Sequence, residues 1–259
     1  MRLKLPKTIK RVTNPVFGRI PVRIIRGVNK GSWWSVAAAG SGYGSGKRET
    51  KQMHIVTSLI RPGDVVWDLG AHFGYITLAA ARRTGTSGQV CAFEPSKSNR
   101  WFLQRHVKWN RLRNTKVYDF AVGSMDGTTS FGGASSSQLH KLGGGDDRVE
   151  VRTISTLLRE GLPAPDFLKI DVEGAEADVL RAGLQSLRSK TRLLIEVHNK
   201  AAYAECVQML RAAGYTVAES QRVRRFKDGK WGGGADIAAF GPMWRDTSDD
   251  MQMLQESEF

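Results

Sequence analysis

The sequence predicts an α/β fold: a doubly wound, mostly parallel sheet with one antiparallel strand near its edge. Three observations predict it. From residue 51 onward, short apolar runs alternate with helical patterns. Runs such as Val65–Leu69 (VVWDL) and Leu193–Val197 (LLIEV) are apolar at nearly every position, as expected of strands covered on both faces. The last two runs are separated by 221–234, which carries the turn signal Asp228-Gly229 and no helical pattern, so they pair antiparallel.

The elements follow in order. Lys51–Ile60 reads as a helix ended by Arg61-Pro62-Gly63. Val65–Leu69 is a buried strand, followed by a glycine turn and a helix over Ile76–Arg82. Gln89–Glu94 is the second strand, Ser96–Asn110 a helix and Thr115–Val122 the third strand. Phe167–Asp171 and Leu193–Val197 flank a helix over Glu176–Leu187. Tyr203–Ala213 is a helix stopped by Gly214, and Tyr215–Glu219 and Ala235–Phe240 are the closing strands. Ser130–Gly145 holds five Gly and four Ser, and is expected to be a loop on the substrate side. This architecture resembles that of the common S-adenosylmethionine-dependent methyltransferases.

The chain has 259 residues, 41% hydrophobic and 25% charged, enough for one large domain or one domain with an appendage. No run of 18 apolar residues occurs, which excludes an ordinary transmembrane helix. The net charge of +14 is unevenly spread. Residues 1–48 hold 11 basic and no acidic residues; the remainder holds 28 against 25. Residues 1–48 therefore read as a basic lead-in, 49–245 as the folded domain and 246–259 as a tail. The lead-in suits phosphate, an anionic membrane surface or an acidic partner. Arg19, Arg23 and Arg26 break its apolar stretch, so no signal peptide is read and a cytoplasmic location is expected. Cys91 and Cys206 are too far apart in sequence for a zinc motif and read as core residues.

Three groups of residues carry the chemistry. Asp68-Leu69-Gly70-Ala71-His72-Phe73-Gly74 joins a strand to a helix, where doubly wound sheets bind ligands. Glu94 ends the next strand, 20 residues past Gly74, where a carboxylate can take both ribose hydroxyls. A dinucleotide fingerprint would place glycine where His72 stands, so a cofactor without phosphates fits this loop better. Third, the strand Phe167–Ile170 runs into Asp171-Val172-Glu173-Gly174-Ala175-Glu176. Clustered carboxylates are costly unless they bind something. Glu176, in the first turn of the following helix, reads as a dipole partner.

The strings KIDVEGAEADVL, VVWDLGAHFGY, AFEPSKSN and FAVGSMDG resemble the FkbM-type methyltransferases, from about Tyr43 to Glu219. The resemblance implies a class I methyltransferase, Rossmann-like fold over 49–245. It implies S-adenosylmethionine as cofactor and O-methylation of small molecules, sugars or lipid-linked glycans. It places Asp68, Gly70, Ala71 and Gly74 around the amino-acid end of the cofactor and Glu94 on the ribose. It puts the Ala121-Val122 backbone beside the adenine and Asp171 near the methyl group or methionine. Glu49 matches an upstream acid. One departure is Ser155, where the family often has Asp.

A hydroxyl nucleophile needs a base. His198, ending the strand LLIEV, is the first candidate and Asp171 the second. His72 and His140 lie in loops, and His54 and His106 read as packing or surface residues. Asp171, Glu173, Glu196 and His198 could offer Mg²⁺ an oxygen-rich set. They form no compact ligand motif, so no metal is expected. Two other functions compete. One is an RNA methyltransferase using the basic lead-in with Trp33, Trp34 and Tyr43; the near-balanced body makes a nucleic-acid partner the weaker reading. The other is a non-catalytic binding module. The acceptor's identity and the oligomeric state are not encoded in any readable motif.

Overall fold

The computed structural model describes residues 19–38, 42, 50–132, 141–219, 235–244 and 247–256. Tyr43, Glu49, His140 and the Asp228-Gly229 turn lie outside the described residues. The strands are β1 (Pro21–Arg23), β2 (Trp33–Ser35), β3 (Val65–Leu69), β4 (Gln89–Phe93), β5 (Thr115–Tyr118), β6 (Ala121–Val122), β7 (Gly127–Gly132), β8 (Lys141–Leu142), β9 (Asp147–Arg152), β10 (Phe167–Ile170), β11 (Arg192–Val197), β12 (Thr216–Glu219) and β13 (Ala235–Phe240). The helices are α1 (Thr50–Leu59), α2 (Tyr75–Thr84), α3 (Lys97–Trp109), α4 (Ile154–Arg159), α5 (Glu176–Gly183), α6 (Lys200–Ala212) and α7 (Thr247–Glu256).

The main sheet has the order β12-β13-β11-β10-β3-β4-β5. Strands β11, β10, β3, β4 and β5 run parallel. β13 runs antiparallel between β11 and β12. The expected architecture is therefore present, with the reversed strand one place in from the edge.

Side-chain alternation divides the core. Trp67, Leu69, Leu168, Ile170, Leu193 and Ile195 pack with α4, α5 and α6. Val66, Phe167, Leu194 and Ala238 pack with α1 and α2 on the opposite face. Both faces are buried, which is why the strands read as continuous apolar runs. Among the described residues no helix is long and apolar enough to cross a membrane.

Three element boundaries differ from expectation. The third strand breaks in two: β5 stays in the main sheet and β6 joins a second sheet, β6-β9-β7-β8. Phe120, between them, is buried against Phe93 and Tyr118, and this packing turns the chain. α5 stops at Gly183 and continues as a single 3₁₀ turn, Leu184–Ser186. A Cβ on Gly183 would sit 2.6 Å from Ile154, so the glycine permits close contact with α4. α6 begins at Lys200 because Asn199 caps it, accepting from the Ala202 amide at 2.8 Å. The Gly/Ser-rich stretch contributes part of β7 and all of β8; residues 133–140 lie outside the description. Ser155 bonds to Ser186 between α4 and the 3₁₀ turn, away from the candidate site.

Part of the expected lead-in is packed into the fold. β1 and β2 form a hairpin along α2 and α3. Trp34 is fully buried and stacks on His106 at 3.8 Å. The His106 ring accepts the Ser35 amide at Nε2 (2.9 Å), so Nδ1 carries the proton and donates to the Phe73 carbonyl at 2.7 Å. Burial drives its pKa down to about 4. Asn110 clamps both the amide and the carbonyl of Trp33, and Asn29 donates to the Tyr75 carbonyl. Within the expected tail, α7 packs on α1. Its Asp250 accepts from Trp244, whose ring lies 4.2 Å from the buried Arg192 guanidinium.

Candidate active site

The site lies where β3, β4, β10 and β11 end together. After Leu69 the chain turns through Gly70, at φ +77°. A Cβ there would fall 1.8 Å from the Asp171 carbonyl oxygen, so only glycine allows the loops after β3 and β10 to touch. The amides of Gly70 and Ala71 both donate to the Phe93 carbonyl. Gly74, at φ +86°, starts α2; a Cβ on it would meet Leu103 at 2.4 Å. His72 also takes a left-handed conformation, φ 51°.

Glu94 locks this loop from the neighbouring strand. Its Oε2 accepts from the His72 amide at 2.7 Å and its Oε1 from the Ser96 amide at 2.9 Å. The Asn99 side chain approaches at 3.5 Å. Burial pushes the Glu94 carboxyl up to about 7, against these hydrogen bonds. A carboxylate has about four lone-pair sites, so it can take further donors. The Asn99 Oδ1 beside it is buried with no hydrogen-bond partner among the described residues.

The parallel register sets Lys169 beside Asp68. Lys169 and Asp171, two residues apart, share that face. The Lys169 ammonium lies 2.8 Å from Asp171 and 3.8 Å from Asp68. Burial opposes its charge, but the two carboxylates outweigh that and hold its pKa above the ordinary lysine value. Asp68 also accepts the Thr77 hydroxyl at 2.6 Å. On the other side, Glu196 and Asp236 are partners across β11 and β13. Gln52 of α1 donates to both, at 2.8 and 3.2 Å. Burial, then Asp171 and Asp236, push Glu196 up to about 7. A polar row thus crosses four strands on the α1 side, with more carboxylates than cations.

His198 follows β11 and completes the edge. Its Nδ1 is 2.7 Å from Oε1 of Glu176, a fully buried residue at the start of α5. Its Nε2 lies 3.7 Å from Asp171 and 3.6 Å from Glu173. Burial opposes the imidazolium, but the bond to Glu176 and the charges of Asp171, Glu176 and Glu173 hold its pKa up at about 9. Glu173, at φ 53°, is pushed up to about 7 chiefly by burial. Asp171, Glu173 and His198 are close enough to share an ion. Lys169 already stands against Asp171 as a counter-charge.

The structure brings Asp68, Gly70, Ala71, Gly74, Glu94, Asp171 and His198 to one edge. Ala121 lies just beyond the end of β5, buried in β6. Glu176 does lie in the first turn of α5, and the structure adds a role not read from the sequence: it is the carboxylate partner of His198. It also accepts from the Gly174 amide at 2.9 Å. Lys169, Gln52 and Asn99 were missed. For Lys169 the signal was present, since a cation alternating with Asp171 in a buried strand needs acid partners.

Residues 68–217, more than half of the chain, match the Methyltransferase FkbM domain. The chain is 29% identical over 141 residues to the hexuronic acid methyltransferase AglP of Haloferax volcanii. That match covers 52% of this chain and 56% of the relative, so the chain spans about half the length of the curated relative it matches. Two solved structures share the fold. The precorrin-6y C5,15-methyltransferase of Geobacter metallireducens GS-15 superposes with a TM-score of 0.50 at 16% identity, covering 74% of this chain and 90% of that one. A proposed rRNA-methylase of Clostridium thermocellum gives 0.52 at 8% identity, covering 75% and 96%.

Proposed function

The chain belongs to the FkbM methyltransferase family, and on that premise we propose that it transfers the methyl group of S-adenosylmethionine to a hydroxyl of a small molecule, sugar or lipid-linked glycan. One observation carries the reading: His198, fixed at Nδ1 by buried Glu176, stands beside Asp171 where the glycine loop meets the end of β10. The Haloferax relative is named for hexuronic acid, so a uronic acid-containing glycan is the first acceptor to try.

The residues fit the cofactor. Gly70 and Gly74, without a Cβ, let the loop after β3 pack against Asp171 and Leu103, and with Ala71 this loop would border the amino-acid end of the cofactor. Glu94 and the unpartnered Asn99 Oδ1 offer acceptors for paired ribose hydroxyls. The Ala121 backbone would border the adenine. Asp68 and Asp171 supply negative charge for the methionine end, and the carboxylate-rich edge favours a cation. When bound, the cofactor supplies an electrophilic methyl on a positively charged sulfur.

His198 would take the acceptor's proton at Nε2, because Nδ1 is committed to Glu176. The imidazole must be neutral to do so. A pKa of about 9 leaves it protonated at neutral pH, and a positive charge placed nearby lowers it. Asp171 is the second candidate base, already engaged by Lys169.

Calorimetry of S-adenosylmethionine binding to the wild type and to Glu94→Gln tests the cofactor site. Micromolar binding, weakened about tenfold or more in the variant, is expected. Transfer of labelled methyl to glycans with and without uronic acid then tests the acceptor class. Correctly folded protein that binds no S-adenosylmethionine sinks the reading.

A further inference from the structure

We infer that the N-terminal hairpin and the cleft beside it form a docking face for an anionic lipid surface. The inference does not depend on the methyltransferase reading. A cleft of about 820 Å³ opens at the amino ends of β4 and β5, opposite the catalytic edge. Arg82, Arg111, Arg113 and Lys116 line it, and no carboxylate does among the described residues. The surrounding sequence is one-sided: 95–118 contains seven Lys or Arg and no Asp or Glu.

The hairpin borders this cleft. Arg82 donates to the Lys30 carbonyl and to Ser32, and Asn110, next to Arg111, holds Trp33. The hairpin adds Arg19, Arg23, Arg26 and Lys30, again without an acid. It also adds apolar surface. Ile20, Ile25 and Val36 are three of the five exposed large hydrophobic residues among those described, and Ile25 is 63% exposed. Ile20 and Val36 are side by side, joined by a backbone hydrogen bond. Arg23 covers Trp33 at 3.8 Å in the hairpin and Arg105 covers Trp101 at 3.5 Å on the adjacent α3.

Cations with flanking isoleucines and tryptophans match a membrane interface: charge meets the headgroups and the aliphatic tips enter the acyl boundary. A nucleic acid would use the cations but has no place for exposed isoleucines.

The test is co-sedimentation of the full chain with phosphatidylcholine vesicles, with and without phosphatidylglycerol, at about 0.1 M salt. Binding to the anionic vesicles alone is expected. Each cation near such a surface strengthens binding about fivefold, so the double variant Arg113→Ala/Lys116→Ala should bind roughly 25-fold more weakly. Ile25→Asp should also weaken binding. All these positions are exposed, and unchanged thermal melts would show that the variants fold. Three results overturn the inference: equal binding to neutral vesicles, wild-type binding by both variants (which assigns any attachment to residues 1–18), or binding to single-stranded RNA but not to vesicles.

Discussion

Gly70→Ala probes the tightest approach in the site. The substitution carries two costs. A left-handed φ of +77° costs a non-glycine residue roughly 1–2 kcal/mol. The new Cβ would also sit 1.8 Å from the Asp171 carbonyl oxygen. That oxygen is backbone, so no rotamer relieves the clash, and the loops must separate by more than an ångström. Separation breaks the Asp171 N–H bond to the Leu69 carbonyl, 3.1 Å long, at about 1 kcal/mol. The total is about 3 kcal/mol, or a fall in Tm of about 6–12 °C for a domain of this size. Gly161→Ala is the control. Gly161 has φ +90°, and nothing lies within 4 Å of the point a Cβ would occupy, so it incurs the dihedral cost alone. Urea unfolding of both variants, with S-adenosylmethionine titration alongside, separates strain from clash. Gly70→Ala should lose at least about 1 kcal/mol more than Gly161→Ala, and it alone should lose the cofactor. Equal losses with cofactor binding intact would refute the contact between the two loops.

Lys169→Met leaves Asp68 and Asp171 without their shared cation. It should cost about 3–5 kcal/mol at neutral pH by chemical denaturation, with recovery in acid as the carboxyls protonate. His198→Asn tests linkage. With a folded pKa of about 9 against an unfolded 6.5, the imidazolium's stabilisation is fully present below pH 6.5 and is lost as pH rises through 9. The gap between wild type and variant should be about 2 kcal/mol at pH 6, discounted for the part-exposed ring, and should close by pH 10. If His198 is the base, kcat/KM for the wild type should rise with pH over that same window. His106→Leu removes the partners of the Ser35 amide and the Phe73 carbonyl. It should cost about 2–4 kcal/mol and open residues 19–38 to limited proteolysis.

The sheet was legible because both of its faces are covered. VVWDL and LLIEV could not be surface segments, and the turn signals between them set the order. Asp68, Glu94 and Asp171 stood out in the sequence because Asp68 interrupts an apolar run and Glu94 and Asp171 directly follow one. Glu176 was not. Its neighbours in sequence describe a helix start, and its partnership with His198 arises only when α5 and β11 meet in space. The β1–β2 hairpin escaped because its strands are three residues long and its anchors, His106 and Asn110, belong to a distant helix. The end of β7 and all of β8 escaped because a glycine- and serine-rich run carries little alternation and β8 is only two residues long; β9 lies beyond that run and does alternate, with Val149 and Val151 buried.

The hairpin's anchorage also orders events during synthesis. Asn29 waits for Tyr75, 46 residues later; Ser35 waits for His106, 71 later; Trp33 waits for Asn110, 77 later. At about 5–20 residues per second, these partners follow by several seconds. Through that interval Trp33 and Trp34 have no native cover, in a stretch whose charges are all of one sign. Mutual repulsion among those arginines and lysines discourages premature collapse and contact between neighbouring nascent chains. The segment made early is thus finished late, and a nascent chain truncated before His106 should leave Trp34 accessible to quencher, whereas one extended past Asn110 should not.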